Sequence, residues 1–255
     1  MTSGLFTAVL RRRTAVLAGL AMATVMTAAH ADDLVTNGSF SSMTNGTGQL
    51  GFNTNVTGWS VPNPNVGGSY AFVFSPGEAD TIGVTSQNGN LQLWGSGNGG
   101  ITPLQASPDG GNFVAMDGAF QQGAISQTIN DLISGDSYTV SFDWAAAQQA
   151  GFTGDTTEQF QVSFGAETQL TGFISDASHA STDWTNSSFT FTADGSSDVL
   201  SFLALGTPNG VPPFALLDGV SVDGPAATPE PSSLALLATG LLGAGGMLRR
   251  RFMKA

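Results

Sequence analysis

From residue 138 onward, apolar and polar positions alternate with a period of two. In Tyr138-Thr139-Val140-Ser141-Phe142-Asp143-Trp144 the side chains of Tyr, Val, Phe and Trp share one face. Phe160-Gln161-Val162-Ser163-Phe164 repeats the pattern, as do Phe189-Thr190-Phe191 and Leu200-Ser201-Phe202. The stretch from Phe214 to Val222 closes the series, with Val220 and Val222 on one face. Alternation rich in β-branched and aromatic residues predicts half-buried strands. Turns are marked by Asp109-Gly110-Gly111, Ser134-Gly135-Asp136 and Ala193-Asp194-Gly195. No segment here has a helical period, and Ala145 to Ala150 is the one stretch expected to make a short helical turn. Several short strands with turn signals predict an all-β, single-domain sandwich of the jelly-roll kind. The span from Ser42 to Ala106 is less regular and rich in Gly, Asn, Ser and Thr. It reads as strands joined by long loops at a sandwich edge, where binding usually resides.

Both ends break this pattern. Arg11-Arg12-Arg13 precede an apolar run from Thr14 to Ala28, followed by Ala29-His30-Ala31. Basic region, apolar region and A-x-A site in that order predict a signal peptide over residues 1–31, with a signal helix. Cleavage after Ala31 would make Asp32 the first mature residue, and the general secretory route is expected over the twin-arginine one. At the other end, Pro229-Glu230-Pro231 lead into an apolar run from 234 to 248 and then Arg249-Arg250-Arg251. That run has 15 residues, against the roughly 20 a membrane-crossing helix needs. Gly240, Gly243, Gly245 and Gly246 weaken it further as a helix. The arginines suit retention on the cytoplasmic side. Tripeptide, short apolar helix and basic stop together resemble the PEP-CTERM sorting signal of exopolysaccharide-producing Gram-negative bacteria, here over residues 226–255. The resemblance implies export, transient inner-membrane anchoring and cutting near the tripeptide by an exosortase. The plainer alternative is an unprocessed C-terminal anchor.

Charge narrows what the body between these ends, residues 32–225, could bind. All seven lysines and arginines of the chain lie in the two ends, whereas all but one of its 19 carboxylates lie in the body. The body is therefore more acidic than the whole-chain charge of −12 suggests. Nucleic-acid binding needs cations to displace counterions from phosphates, and the body has none. Anionic lipid surfaces and Arg- or Lys-mediated anion recognition are excluded on the same ground. Neutral sugars and hard cations remain, and the acidic charge also favours solubility. With no cysteine, disulfides and thiol chemistry are absent.

A second resemblance covers most of the body. Leu34-Val35-Thr36-Asn37-Gly38-Ser39-Phe40, Gly58-Trp59, Asp109 to Gly118, Ile125 to Ile129, Tyr138 to Phe142 and Leu216 to Val222 follow one another as in galactose-binding-like jelly rolls. The chain is similar to their DUF642-like and carbohydrate-binding-module-like branch. The resemblance implies a structural calcium joining the opening segment to the last strand, with Asp218 as the matching acid. Ser41 follows Phe40 where such domains typically carry an acid, so a turn role for Asp218 stays open beside the metal role.

Candidate chemistry is sparse. Any Ser-His-Asp scheme must use His179, the body's one histidine, which lies in a polar loop with no G-x-S-x-G elbow. It reads as a surface residue. Gly95-Ser96-Gly97-Asn98-Gly99-Gly100 matches a dinucleotide fingerprint in form, but Ile101-Thr102-Pro103 does not start a helix. That segment reads as a loop. A paired-carboxylate glycosidase could use Glu78, Glu158 or Glu167 with an aspartate, but no pair stands out. Sugar recognition would use exposed aromatics, with Tyr70 and Trp94 the best placed, beside glycine-rich loops. Leu91 and Leu93 make a packing role for Trp94 equally open, and Trp59, Trp144 and Trp184 read as core. The expectation is an exported, non-enzymatic protein of the exopolysaccharide or biofilm matrix, binding neutral carbohydrate. The alternatives are a coat protein without a ligand and, behind it, a secreted glycoside hydrolase.

Overall fold

A computed structural model of the chain describes residues 33–225. The signal segment with Ala29, Ala31 and Asp32 lies outside the described residues, as do the tail with Pro229, Glu230 and Pro231 and the apolar run 234–248. Thirteen strands follow in order: β1 Gly48–Gln49, β2 Ala71–Phe74, β3 Val84–Ser86, β4 Gly89–Leu91, β5 Phe113–Asp117, β6 Ile125–Asn130, β7 Ser137–Gln148, β8 Thr156–Phe164, β9 Glu167–Leu170, β10 Ile174–Asp176, β11 Thr185–Thr192, β12 Ser197–Thr207 and β13 Pro213–Asp223. The described residues contain no α-helix, only two 3-10 turns, Pro64–Val66 and Ser96–Asn98.

The strands form an all-β jelly-roll sandwich. One sheet has six strands in the order β1-β2-β5-β13-β7-β11, the other the order β10-β8-β12-β6 with β9 also on β8, and β3 pairs with β4. Every pairing is antiparallel. The predicted alternation resolves as the inner faces of the two sheets. Val140, Phe142 and Trp144 of β7 meet Phe160, Val162 and Phe164 of β8 and Leu200 and Phe202 of β12. Phe142 and Phe160 each meet Phe202 edge-on, at 5.0 and 6.0 Å. Rings at such angles gain stabilisation beyond the area they bury. The buried indole of Trp144 keeps a partner by donating to Ser187 Oγ at 3.0 Å.

The opening segment lies against the last strand. Leu34 N donates to Val222 O and Val220 N to Gly38 O. A Cβ at Gly38 would sit 1.9 Å from Val220 O, so only glycine fits there. The register of β13 on β7 slips between Asp218 and Ser221, a bulge that turns Val220 back into the core.

Two expectations are corrected. The stretch from Ala145 to Ala150 is not helical: β7 runs on to Gln148, and Ala145, Ala146 and Ala147 are fully buried. The span 42–106 does hold strands joined by long loops, β1 to β4, but it packs over a sheet face and not only at an edge. Its Ala79, Val84, Leu91, Leu93 and Leu104 pack on Phe72, Phe74, Phe113, Phe214 and Leu216, forming a second core on the outer face of the six-stranded sheet. That sheet is thus covered on both sides over β2, β5, the start of β13 and the end of β7, and β2 and β5 are buried at every position.

Candidate functional site

Four strand ends of the six-stranded sheet meet at one end of the sandwich: the start of β2, the end of β5, the start of β13 and the end of β7. The residues just beyond them, with the β3–β4 turn, surround a cleft of about 310 Å³. Tyr70, Asn88, Asp117, Phe120, Gln149 and Phe152 line it, with Asn209 and Pro212 from the β12–β13 loop. Tyr70 is pinned by its backbone, which donates to Gln121 O and accepts from Asp117 N. Its ring is largely buried and meets Phe72 and Phe120 edge-on, at 4.7 and 5.3 Å. Phe120 and Phe152 are 45 % and 37 % exposed, and these two offer ring surface to a ligand.

Asp117 supplies the cleft's carboxylate. Its Oδ1 accepts from Ala119 N and Phe120 N at 2.8 and 2.9 Å, which fixes the turn that presents Phe120. Its Oδ2 is buried without a partner. Burial pushes this carboxyl up to about 6, against the pull of the two backbone donors. The same desolvation raises the Tyr70 phenol, which the neighbouring Ser86 and Asn88 side chains partly oppose. No cationic side chain lines the cleft, so it offers ring surface, amides and one carboxylate. Such a lining suits a neutral ligand rich in hydroxyls.

The sequence candidates separate here. Tyr70 lies on the cleft, whereas Trp94 stands behind it. Trp94 is half-buried, and its Nε1 donates to Phe152 O at 3.0 Å, holding the loop that carries Phe152. Its ring packs against His179 with centroids 4.4 Å apart. His179 is therefore no free surface residue: it is half-buried, and its Nε2 bonds Thr153 Oγ1 at 3.0 Å. The Gly95–Gly100 segment is a tight 3-10 turn. Gly97 N donates to Asp80 Oδ2, and a Cβ at Gly95 would lie 2.4 Å from that same oxygen. Phe120, Phe152, Asn88 and Gln149 were not among the sequence candidates. The available signal was an apolar ring inside a glycine-bounded polar turn, Gly118-Ala119-Phe120-Gln121-Gln122-Gly123 and Gly151-Phe152-Thr153-Gly154.

Asp218 lies elsewhere, fully buried in β13 directly opposite Asp143 of β7. Its Oδ2 accepts from the Ser107 hydroxyl, and its Oδ1 has no partner. Desolvation pushes it up to about 7, helped by Asp109 and Asp143 and opposed by Ser107 and the Gly219 backbone. Among the described residues no three His, Asp or Glu are grouped to hold a metal ion. Calcium at Asp218 would thus rest on this one buried oxygen and its neighbours, and it stands as a proposal.

A family model described as "Protein of unknown function (DUF642)" matches residues 83–222, more than half of the chain. The chain belongs to the DUF642 family. The match begins just before β3 and includes every cleft residue except Tyr70. A PEP-CTERM protein-sorting motif matches residues 227–251 of this DUF642 protein, which indicates export, exosortase processing and membrane-associated sorting. No curated protein matches the chain. Among solved structures, TmCBM61 in complex with beta-1,4-galactotriose is 12% identical, with 64% of this chain and 95% of that one covered and a TM-score of 0.34. The CBM22-1 xylan-binding domain from Paenibacillus barcinonensis Xyn10C is 14% identical, covering 79% and 100%, with a TM-score of 0.37. The N-terminal cellulose-binding domain from Cellulomonas fimi beta-1,4-glucanase C is 16% identical, covering 46% and 80%, with a TM-score of 0.27. Likeness at these scores carries nothing about the ligand of the DUF642 protein. Among the described residues no helix is long and apolar enough to cross a membrane.

Proposed function

We propose that this exported protein binds neutral carbohydrate without catalysis, in the cleft of Tyr70, Asp117, Phe120 and Phe152, after passing through the inner membrane to the cell surface or the extracellular polysaccharide matrix. The observation that carries the reading is the cleft lining. Two part-exposed rings stand in it, one of them held by the turn that Asp117 Oδ1 fixes. The rings of Phe120 and Phe152 would cover the apolar face of a pyranose. Asn88, Gln149 and Asn209 offer both donors and acceptors to the remaining hydroxyls. A body without lysine or arginine has no partner for an anionic glycan.

The reading favours binding over hydrolysis because paired-carboxylate cleavage needs two acids flanking the scissile bond, and Asp117 is the cleft's one carboxylate. Screening the protein on an array of neutral and anionic glycans tests it. Retention of neutral oligosaccharides, released intact and without cleavage products, is the expected result. Retention of anionic glycans alone would contradict the reading.

A further inference from the structure

At the outer end of β8 a second set of polar groups is sealed inside the sandwich. Along β8, Phe160, Val162 and Phe164 point into the core, and by the same alternation so do Thr156 and Glu158. Glu158 has 0% exposure, Thr156 2% and Asp176 2%. In the register of β10 on β8, Asp176 lies directly opposite Thr156, and Ile174 opposite Glu158. Glu158 is therefore the diagonal neighbour of Asp176 on one face, within reach for long side chains.

Their one backbone donor is the Ala177 N–H beside Asp176. Both Glu158 oxygens, Asp176 Oδ2 and Thr156 Oγ1 are buried without hydrogen bonds. The Thr156 hydroxyl is near enough to Glu158 to favour its charged form slightly, yet it is not aligned as a hydrogen bond. Burial pushes Glu158 up to about 9 and Asp176 up to about 7, each raised further by a neighbouring acid, Asp176 and Asp155 respectively. Buried carboxylates are normally offset by a cationic side chain or by several donors. The body has no lysine or arginine, and His179 is engaged with Thr153 and Trp94. Compensation must come from solution, as protons or as a cation. One proton shared between the two carboxylates would still leave one Glu158 oxygen unpartnered.

We propose that Glu158, Asp176 and Thr156 form a buried calcium site, separate from Asp218 and from the cleft. Two carboxylates match the charge of one divalent ion, and the four oxygens are hard ligands. None of the three residues is a cysteine or histidine, the ligands a softer metal prefers. Two acids fall short of a three-carboxylate group, so main-chain oxygens or water complete the coordination. The ion would pin the three-residue edge strand β10 to β8.

Isothermal titration of the chelator-stripped full chain with calcium chloride, run beside thermal melting, tests this. The wild type should bind calcium and melt higher with it, with a smaller effect of magnesium. Glu158→Gln and Asp176→Asn should each weaken calcium binding at this site at least tenfold while still melting cooperatively. Glu158→Gln should also raise the calcium-free melting temperature at neutral pH, because the buried glutamate must take up a proton to fold and glutamine carries no such cost. Asp218→Asn should leave this binding event in place. Absence of calcium binding by the wild type, or calcium affinity and stoichiometry unchanged in Glu158→Gln, would overturn the proposal.

Discussion

Asp218 and Asp143 face each other across neighbouring strands, and no cationic group lies between them. Opposed like charges on a sheet are destabilising, and desolvation of Asp218 adds to the cost. In calcium-free buffer at pH 8, above the value of about 7 to which Asp218 is raised, Asp218→Asn should therefore raise the melting temperature. At pH 5 the gain should shrink, because the wild-type carboxyl is then already protonated. Melting curves of both proteins at both pH values check this. Calcium at Asp218, still a proposal, adds a second expectation: calcium should stabilise the wild type beyond magnesium at equal ionic strength, since an ion bound by the folded state alone adds stability. Part of that increment should vanish in Asp218→Asn. Gly38 gives a simpler residue-scale case. Its missing side chain lets the opening segment approach Val220 O, so Gly38→Ala should destabilise by about 1–3 kcal/mol, as overpacking does. Unchanged denaturant midpoints would count against the close approach.

At the scale of elements, the second core decides what the span 42–106 is. If it covers the outer face of the six-stranded sheet, Phe214→Ala should cost about 3–5 kcal/mol, as much as Phe142→Ala on the inner face. An open loop would leave Phe214→Ala near neutral. Trp94 tests the support of the cleft. Trp94→Phe keeps a ring over His179 but removes the donor to Phe152 O, a bond of about 1 kcal/mol. Sugar affinity should fall several-fold with little change in melting temperature, and equal affinity would separate Trp94 from the cleft. The elements differed in how plainly the sequence announced them. β8, β12, the first part of β7 and the end of β13 alternate because one face is packed and the other less so, and that period is readable. β2 and β5 are buried on both faces, so Ala71–Phe74 and Phe113–Asp117 show no alternation. Ala145–Ala147 looked helical because three small apolar residues in a row carry no period, and only the tertiary cover over both faces makes them strand. The cleft was legible through Tyr70 alone. Phe120 and Phe152 are functional candidates because strand ends distant in sequence converge, and local pattern does not contain that.

For the whole molecule, the acidic body predicts how stability depends on pH. Four buried carboxyls are raised: Asp117 to about 6, Asp176 and Asp218 to about 7, and Glu158 to about 9. All four lie above the roughly 4 of an unfolded chain. Between these limits the folded state holds more protons than the unfolded state, so stability rises as pH falls. In calcium-free buffer the melting temperature should climb from pH 9 to pH 5, and the gain should be lost again as pH rises through 6 to 9. Self-repulsion among carboxylates without basic partners acts in the same direction. A melting temperature that falls over this range would contradict the buried, cation-free placement of these acids.

The central claim is that a neutral sugar occupies the cleft between Phe120 and Phe152. Isothermal titration of a neutral oligosaccharide retained on the array, into wild type, Phe120→Ala and Phe152→Ala, tests it most directly. Both rings are part-exposed, so neither substitution should disturb the core. The account predicts at least tenfold weaker binding in each variant, with melting temperatures close to wild type. Wild-type affinity in both variants would contradict it.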